Sequence, residues 1–255
     1  MSQYYNSTRT KNIYITGSKT PFKLSRSKNE LYTECPLCFY LDRKRGVGRP
    51  PGFPFNLNSA VDKLLKKEFD IHRAANTKHP LMEHYGIDAV PFQHEMIDEW
   101  RENFKGVQFL HKPTNFLVTG AVDDIWINRQ KELLVVDYKS TSKDAEVTLD
   151  ADWQMGYKRQ MEIYQWLLRH NPHAKHVVSD TGYFVYCNGR TDKEAFDAKL
   201  EFDIKVIPYT GSDDWVDGVL EDIKACLDSE IIPDAENECD YCQYREAVNK
   251  VNHES

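Results

Sequence analysis

The stretch Leu133-Leu134-Val135-Val136-Asp137-Tyr138-Lys139 decides the predicted fold, because an apolar run here ends in a carboxylate and an ammonium group. Four consecutive apolar residues indicate a strand that is buried within a sheet. Asp137 and Lys139 are two positions apart, so their side chains point to the same face of that strand. The sequence therefore predicts a pair of opposite charges at the end of a buried strand.

An earlier apolar run, Phe116-Leu117-Val118, leads into Gly120-Ala121-Val122-Asp123-Asp124. The polar stretch Asn128-Arg129-Gln130-Lys131 separates the two runs and is typical of a turn, so we predict an antiparallel hairpin. This hairpin would bring Asp123 close to Asp137. Asp124 competes with Asp123 for that role, and strand alternation places the two side chains on opposite faces.

Two carboxylates at neighbouring strand ends can bind a hard cation such as Mg²⁺ through oxygen ligands. Such a cation can polarise a phosphoryl oxygen and lower the pKa of a bound water. Lys139 can position the nucleophile or stabilise charge that develops in the transition state. An Asp-x-Lys pattern by itself is more often a surface ion pair. The apolar run before Asp137 and the Gly-x-x-Asp partner favour a catalytic site here.

Amphipathic helices are predicted on both sides of the hairpin in the sequence. Residues 58–69 carry apolar side chains at helical spacing, and a second helix over residues 151–169 ends before Asn171-Pro172. Gln160 and Tyr164 are four apart, so they share a face of the second helix. Further strands are predicted at 176–186 and 202–207, and a last helix at 213–226.

The composition indicates a chain that can bury a sizeable core: 255 residues, 40% hydrophobic and 29% charged. We predict an arm over residues 1–24, a single domain over 25–245 and a tail over 246–255. No long apolar run occurs and residues 1–6 have no apolar signal core, which favours a cytoplasmic protein without a membrane span. The net charge of −7 means that nucleic-acid binding has to rest on local basic patches.

Four of the six cysteines form two Cys-x-x-Cys pairs, Cys35 with Cys38 and Cys239 with Cys242. In a cytoplasmic chain this pattern is more typical of a metal or cluster site than of disulfides. A structural zinc and an iron–sulfur cluster fit the pattern about equally, and either would join the two ends of the chain. Ordinary buried thiols are expected at the other two positions, Cys187 and Cys226.

The order of the motifs resembles the RecB-like branch of the PD-(D/E)XK nucleases, which includes the nuclease domains of RecB and AddB and CRISPR-associated RecB-like exonucleases. The resemblance rests on Gly120-Ala121-Val122-Asp123, Asp137-Tyr138-Lys139 and Gln160-Met161-Glu162-Ile163-Tyr164, and it spans roughly residues 25–245. It implies an α/β fold with a restriction-endonuclease-like core. A central mixed β-sheet would be flanked by helices, and a cysteine cluster would join the N- and C-terminal regions.

The resemblance also implies site residues. The family pattern Leu-Gly-x-Ala-Val-His reads Leu57-Asn58-Ser59-Ala60-Val61-Asp62 here, so Asp62 takes the position of the histidine, although an acid on an amphipathic helix is by default solvated. The implied Mg²⁺ or Mn²⁺ ligands are Asp62, Asp123, Asp137 and the carbonyl of Tyr138. The implied catalytic residues are Asp123, Asp137, Lys139, Gln160 and Tyr164.

Many family members bind a [4Fe–4S] cluster through one cysteine before the nuclease core and three after it. In this chain the split is two and two. The usual last cysteine is missing, and Cys38 could replace it. The resemblance therefore implies either a [4Fe–4S] cluster or Zn²⁺ at Cys35, Cys38, Cys239 and Cys242.

We expect metal-dependent hydrolysis of DNA, either single strands or duplex ends, in repair, recombination or CRISPR-type processing, with a helicase or a CRISPR adaptation protein as a possible partner. Two other functions are considered: a non-catalytic nucleic-acid-binding module of the same fold, and an iron–sulfur or zinc protein unrelated to nucleic acid. The intact Asp/Asp/Lys set favours the enzyme. The cationic candidates for nucleic-acid contacts are Arg43, Lys44, Lys158 and Arg159.

Overall fold

The structure is a computed structural model that describes Tyr5 and residues 8–52 and 55–254. Parts of the predicted arm (residues 1–4, 6 and 7), residues 53 and 54, and residue 255 of the predicted tail lie outside the described residues. The chain divides into two compact units. We call residues 1–53, 110–119 and 214–255 the cysteine unit, and residues 54–109 and 120–213 the sheet unit.

The described strands are β1 (Phe22–Ser25), β2 (Ala89–Pro91), β3 (Val107–His111), β4 (Phe116–Gly120), β5 (Asp124–Asn128), β6 (Leu133–Thr141), β7 (Thr181–Gly189) and β8 (Phe202–Thr210). The described helices are α1 (Arg26–Glu34), α2 (Pro36–Lys44), α3 (Asn56–Ala75), α4 (Pro80–His84), α5 (Ile97–Trp100), α6 (Met155–His170), α7 (Val216–Asp228) and α8 (Asp240–Glu254). None of these helices has the length and apolar character needed to cross a membrane.

The sheet unit contains a mixed five-stranded sheet in the order β2-β5-β6-β7-β8, with β6 in the middle. β6 runs antiparallel to β5 and parallel to β7, and the other pairs are antiparallel. The apolar run before Asp137 is fully enclosed because β6 has a neighbour on each side and a helix on each face. The predicted α/β class, with a mixed sheet flanked by helices, is confirmed.

Helix α6 is the crossover between the parallel strands β6 and β7, since two parallel neighbours cannot be joined by a tight turn. It packs on the odd-numbered face of β6. Gly182 permits this close approach, because a Cβ there would lie 2.4 Å from the Met161 sulfur and 2.8 Å from the Val135 carbonyl oxygen. The odd face also carries Asp137 and Lys139, so α6 lies over both of them.

Helix α3 covers the even-numbered face of β6. Leu65 and Phe69 of α3 share one buried cluster with Leu134, Val136 and Tyr138. The Phe69 ring stands 5.8 Å from the Tyr138 ring and stacks on that of Trp126 at 5.4 Å. The two predicted amphipathic helices therefore enclose the central strand from opposite sides.

The predicted hairpin is correct in its second strand but wrong in its first. The antiparallel partner of β6 is β5, in the register Asp124↔Val136 and Ile127↔Leu133, whereas Phe116-Leu117-Val118 belongs to β4 and pairs in parallel with β1. The chain leaves β4 at Gly120, where a Cβ would lie 2.8 Å from the Tyr164 ring. The residues between Gly120 and Asp124 form no strand, so the pairing changes there.

Strand β7 begins at Thr181, later than predicted, because residues 177–179 make only bridge hydrogen bonds with Leu133. Strand β8 and helix α7 extend slightly further towards the C-terminus than the predicted segments. Within the cysteine unit, β1 and β4 form a parallel pair, and α1 and α2 both pack on α7. The Tyr14 hydroxyl also donates to an Asp228 carboxylate oxygen at 2.6 Å, which ties the N-terminal region to α7.

Candidate active site and cysteine cluster

Asp137 and Lys139 form an ion pair at the end of the central strand. The Asp137 side chain is fully buried, and the Lys139 side chain is only 13% exposed. Their separation by two positions puts both groups on the odd face, under α6. A carboxylate this deeply buried requires a cationic or hydrogen-bonding partner, and Lys139 supplies the cation.

Gln160 of α6 connects the charged groups of this face. Its Nε2 donates to Asp137 Oδ1 at 2.8 Å and to the Tyr164 hydroxyl at 3.0 Å, and its Oε1 accepts from Lys139 Nζ at 3.3 Å. A single amide thus fixes the carboxylate, the ammonium and the tyrosine. The four-residue spacing of Gln160 and Tyr164 gives them the shared helix face that the sequence predicts.

Asp123, which immediately precedes β5, lies at the same strand end. The register Asp124↔Val136 places Asp123 one step further along, opposite Asp137. Its Oδ2 accepts a hydrogen bond from the Tyr138 backbone N–H at 2.8 Å. The N–H and C=O of one strand residue leave the backbone on the same side, so the Tyr138 carbonyl is directed towards this edge as well.

Asp62 reaches the same region from α3. Lys66 Nζ lies 3.0 Å from Asp62 Oδ1 and 3.5 Å from Asp123 Oδ1, so one ammonium links the two carboxylates. Burial, together with the negative charge of Asp123, raises the pKa of Asp62. The Asp62 side chain is one-third exposed and belongs to this cluster of charges.

Asp124 lies on the opposite face, as strand alternation predicts. It is fully buried and forms an ion pair with Arg73 of α3. The Tyr138 hydroxyl donates to its Oδ2 at 3.0 Å. Burial and the charge of Asp124 raise the pKa of Tyr138 well above its usual value. Asp124 therefore stabilises the packing of α3 and does not face Lys139.

The sequence reasoning missed two residues of the site, Lys66 and Tyr157. The Lys139 ammonium lies 4.3 Å from the centroid of the Tyr157 ring, within cation–π range. Burial and the negative charge of Asp137 raise the pKa of Tyr157. A signal was available for both residues: Lys66 follows Asp62 by four positions, and Tyr157 precedes Gln160 by three.

The four candidate nucleic-acid cations differ in their surroundings. Arg43 is buried against Asp42, with Nη2 2.9 Å from Oδ2. Lys44 Nζ donates to the carbonyl oxygens of Leu227 and Ser229 at 2.8 and 2.7 Å. These two side chains are engaged inside the cysteine unit, so we do not assign them to nucleic-acid binding. Lys158 and Arg159 are partly exposed on α6, beside Gln160.

The cysteine pairs converge within the cysteine unit. The Sγ atoms of Cys35, Cys38, Cys239 and Cys242 all lie within 4.8 Å of one another, and all four residues are buried. The Sγ–Sγ distances are 3.8 Å for Cys35–Cys242, 3.7 Å for Cys38–Cys239 and 3.6 Å for Cys38–Cys242. The cluster thus joins the N-terminal and C-terminal regions and could bind a metal.

Arg49 lies at the edge of the cysteine cluster. Its Nη2 is 3.4 Å from Cys239 Sγ, its Nη1 is 2.7 Å from Glu34 Oε2, and its guanidinium stacks over the Tyr241 ring. A fixed cation at this edge would offset negative charge on a metal that is bound by four thiolates. The other two cysteines lie elsewhere. Cys187 is buried in the sheet core, where burial raises its pKa to about 11, and Cys226 is a partly buried thiol on α7.

The donor sets of the two sites suit different metals. Carboxylate and carbonyl oxygens suit hard divalent cations, whereas thiolates suit zinc or iron. In the part of the chain that the structure describes, the cysteine cluster is the only group of three or more His, Cys, Asp or Glu residues whose ligand atoms all lie within 4.8 Å of one another. Asp62, Asp123 and Asp137 are less tightly grouped, since two are held by Lys66 and the third by Lys139 and Gln160.

Comparison with known proteins gives one family. No curated protein sequence matches the chain. A solved structure described as "Crystal structure of SSO0001" is similar at 15% sequence identity and a TM-score of 0.41, covering 91% of this chain and 87% of that one. The profile of the PD-(D/E)XK nuclease superfamily matches residues 56–247, which is most of the chain. The chain therefore belongs to the PD-(D/E)XK nuclease superfamily.

Proposed function

We propose that this protein is a metal-dependent deoxyribonuclease whose active site consists of Asp123, Asp137, Lys139, Gln160 and Tyr164. The observation that carries the proposal is the Gln160 amide, which holds both charged groups of the Asp-x-Lys motif at once. A surface ion pair would have no need of a buried amide that fixes both partners. Family membership makes phosphodiester hydrolysis the expected reaction.

Asp123, Asp137 and the Tyr138 carbonyl are the proposed ligands of Mg²⁺ or Mn²⁺. Bound there, the cation would lower the pKa of a water molecule and neutralise charge on the phosphate. Lys139 would donate hydrogen bonds to the attacking water or to a phosphate oxygen. Gln160 would hold the Lys139 ammonium in position, and Tyr164 would fix the orientation of the Gln160 amide.

The direct test is a cleavage assay of the purified chain on labelled DNA and RNA with Mg²⁺, with Mn²⁺ and with EDTA. We expect cleavage of DNA that depends on Mg²⁺ or Mn²⁺ and stops in EDTA. Binding of DNA without cleavage under either metal would instead support the non-catalytic module. A protein that neither bound nor cleaved any nucleic acid would contradict both the nuclease and the non-catalytic module.

We also propose that Asp62 supplies an additional oxygen ligand. The shared contact of Asp62 and Asp123 with Lys66 supports this role, and so does the position of Asp62 in the family pattern. The proposal places a third carboxylate on the same cation that Asp123 would bind. It also means that Lys66 and the cation interact with the same two carboxylates.

The Asp62→Asn variant is expected to bind Mn²⁺ about 10–100-fold more weakly, as measured by calorimetric titration. Its stability should not fall at neutral pH. Burial and the charge of Asp123 raise the pKa of Asp62 in the folded state, so the folded state loses stability as the pH rises through that pKa and Asp62 becomes charged. Asparagine carries no charge and avoids this loss. Asp70→Asn, on the same helix, is the control. Unchanged Mn²⁺ affinity in Asp62→Asn would exclude the ligand role.

For the cysteine cluster we propose a single tetrahedral ion, Zn²⁺, in preference to a [4Fe–4S] cluster. Four thiolates around one zinc at a Zn–S distance of about 2.3 Å stand roughly 3.8 Å apart. Three of the six Sγ–Sγ distances are 3.6–3.8 Å and all six are within 4.8 Å, which supports this spacing. In a four-iron cluster each thiolate binds a different iron, so the sulfurs must stand further apart. Elemental analysis of anaerobically purified protein is expected to give about one zinc per chain; about four irons would support the cluster instead.

Within the superfamily, we propose the RecB-like branch. The arrangement of Gln160 and Tyr164 over Asp137 supports this placement, because the Gln-x-x-x-Tyr motif is one of the three motifs on which the resemblance to that branch rests. The divided cysteine cluster, with one pair before and one pair after the sheet unit, also supports it.

A further inference from the structure

Trp153 is the most exposed tryptophan of the chain. All five tryptophans lie in the described residues, and Trp100, Trp126 and Trp166 are buried. Trp215 is partly buried, whereas Trp153 is 64% exposed. A single exposed apolar side chain is ordinary in itself. Trp153 differs from such a residue because its neighbours connect it to the proposed active site.

One aromatic ring separates the Trp153 indole from the ammonium of the proposed active site. Trp153 packs edge-on against Tyr157, with ring centroids 5.4 Å apart and planes at 82°. The same Tyr157 ring lies 4.3 Å from Lys139 Nζ. Tyr157 therefore connects the exposed indole with the Lys139 ammonium.

The turn that carries Trp153 is fixed to the sheet. Trp153 lies in a 3₁₀ turn, Asp152–Gln154, and the Gln154 side chain is buried. Gln154 accepts from the Ala151 backbone N–H at 3.0 Å and donates to the Thr148 carbonyl oxygen at 2.7 Å. It also interacts with Tyr186, which is directly opposite Lys139 in the parallel register of β6 and β7. These contacts of Gln154 hold the turn that carries Trp153 in place, which reduces the entropy lost when a ligand binds there.

We propose that Trp153 stacks on an unpaired nucleobase next to the scissile phosphate, so that single-stranded nucleic acid is the substrate class of this site. The inference rests on the proposed nuclease function. Every nucleobase has a π-face, so an exposed indole binds bases without sequence preference. Inside a duplex both faces of a base are covered by its neighbours, which leaves no face for Trp153. The partly exposed Lys158 and Arg159 follow on α6 and can neutralise phosphates of the strand.

The first test compares wild type, Trp153→Ala and Trp153→Phe by fluorescence anisotropy in buffer without Mg²⁺ or Mn²⁺, so that no cleavage occurs and the cysteine cluster keeps its metal. The probes are a labelled single-stranded oligonucleotide and a duplex closed by a hairpin loop at each end. Trp153→Ala is expected to bind the single strand about tenfold more weakly, whereas Trp153→Phe retains an aromatic face and most of the affinity. Affinity for the closed duplex should not change. Equal losses on both probes, or none on the single strand, would overturn the inference.

The second test locates the stacked base. Single-stranded substrates carry one abasic site, which is moved along the strand one position at a time. In wild type we expect cleavage to require a higher substrate concentration when the abasic site lies at one position beside the scissile bond, and in Trp153→Ala this dependence should disappear. A wild-type protein that neither binds nor cleaves nucleic acid would contradict the proposed function itself. A wild-type protein that cleaves, with the same abasic profile as Trp153→Ala, would contradict only the role of Trp153.

Discussion

The Asp137→Asn variant is expected to cleave DNA at least about 100-fold more slowly than wild type while it keeps its fold. Asparagine has nearly the same shape, and its oxygen can still accept the hydrogen bond that Gln160 donates to Oδ1. The substitution removes the negative charge that the proposed cation requires and that pairs with Lys139. Loss of a group that stabilises developing charge typically costs 10²–10³-fold in rate. Single-turnover cleavage of labelled DNA at saturating Mn²⁺ measures this loss.

Lys139→Met provides the matched control for stability. Methionine keeps an unbranched stem but leaves the fully buried Asp137 carboxylate without its cation. Removal of one partner from a buried ion pair destabilises a protein by about 3–5 kcal/mol, so Lys139→Met should unfold at a clearly lower urea concentration. The double variant Asp137→Asn/Lys139→Met removes both charges. It should recover most of the stability that Lys139→Met loses, and it should stay inactive.

Two results would contradict the assignment of this pair. The first is wild-type turnover in either single variant. The second is a stability loss in the double variant equal to the sum of the two single losses, since residues in direct contact are expected to couple. Gln165→Ala serves as an outside reference. This buried amide on α6 bonds the carbonyl oxygens of Ser179 and Asp180, so its loss should affect stability without a comparable loss of rate.

The central strand could be predicted because its evidence is local. The apolar run and the two-residue spacing of Asp137 and Lys139 determine burial and facing without reference to any distant residue. The shared face of Gln160 and Tyr164 follows in the same way from helix periodicity. The predictions were correct where a single strand or helix contains both the sequence pattern and the residues whose burial or facing it determines.

The identity of the strand beside β6 could not be read from the same kind of pattern. Phe116-Leu117-Val118 is apolar and precedes Asp123, so it is the more obvious partner, whereas β5 begins with a buried acid. Asp124 is tolerated at that position because Arg73 of α3 pairs with it. Arg73 is far away in sequence, and a contact of this kind leaves no local trace. The burial of an acid in β5 therefore depends on a tertiary ion pair that periodicity does not report.

The cationic candidates show the same limitation. Basic residues at positions 43–45 look like a phosphate-binding patch in the sequence. In the structure, Arg43 neutralises its own neighbour Asp42, and Lys44 caps carbonyl oxygens at the end of α7. Lys66 was not predicted as a site residue, yet it connects two carboxylates. Charge alone does not separate these cases, because the deciding factor is which partner lies within reach.

Loss of the metal from the cysteine cluster is expected to lower the midpoint of thermal unfolding by about 10 °C. A ligand present at a thousand times its dissociation constant stabilises the folded state by about 4 kcal/mol. In a chain of this size 1 kcal/mol corresponds to about 2–4 °C. The effect should be this large because the cluster joins Cys35 and Cys38, at the start of α2, to Cys239 and Cys242, at the start of α8.

The comparison uses three proteins: wild type, Cys239→Ser/Cys242→Ser, and Cys226→Ser. The double variant should lose its zinc and unfold at the lower temperature, and chelation of wild type should reproduce that temperature without any mutation. Cys226 is partly buried on α7 outside the cluster, so Cys226→Ser should keep about one zinc per chain and unfold close to wild type. A double variant that retains the metal, or one that loses it and unfolds at the wild-type temperature, would show that the cluster does not stabilise the chain. Chelation should also expose α8 to limited proteolysis in wild type but cause no further change in the double variant, because the same bond between the two chain regions has already been removed.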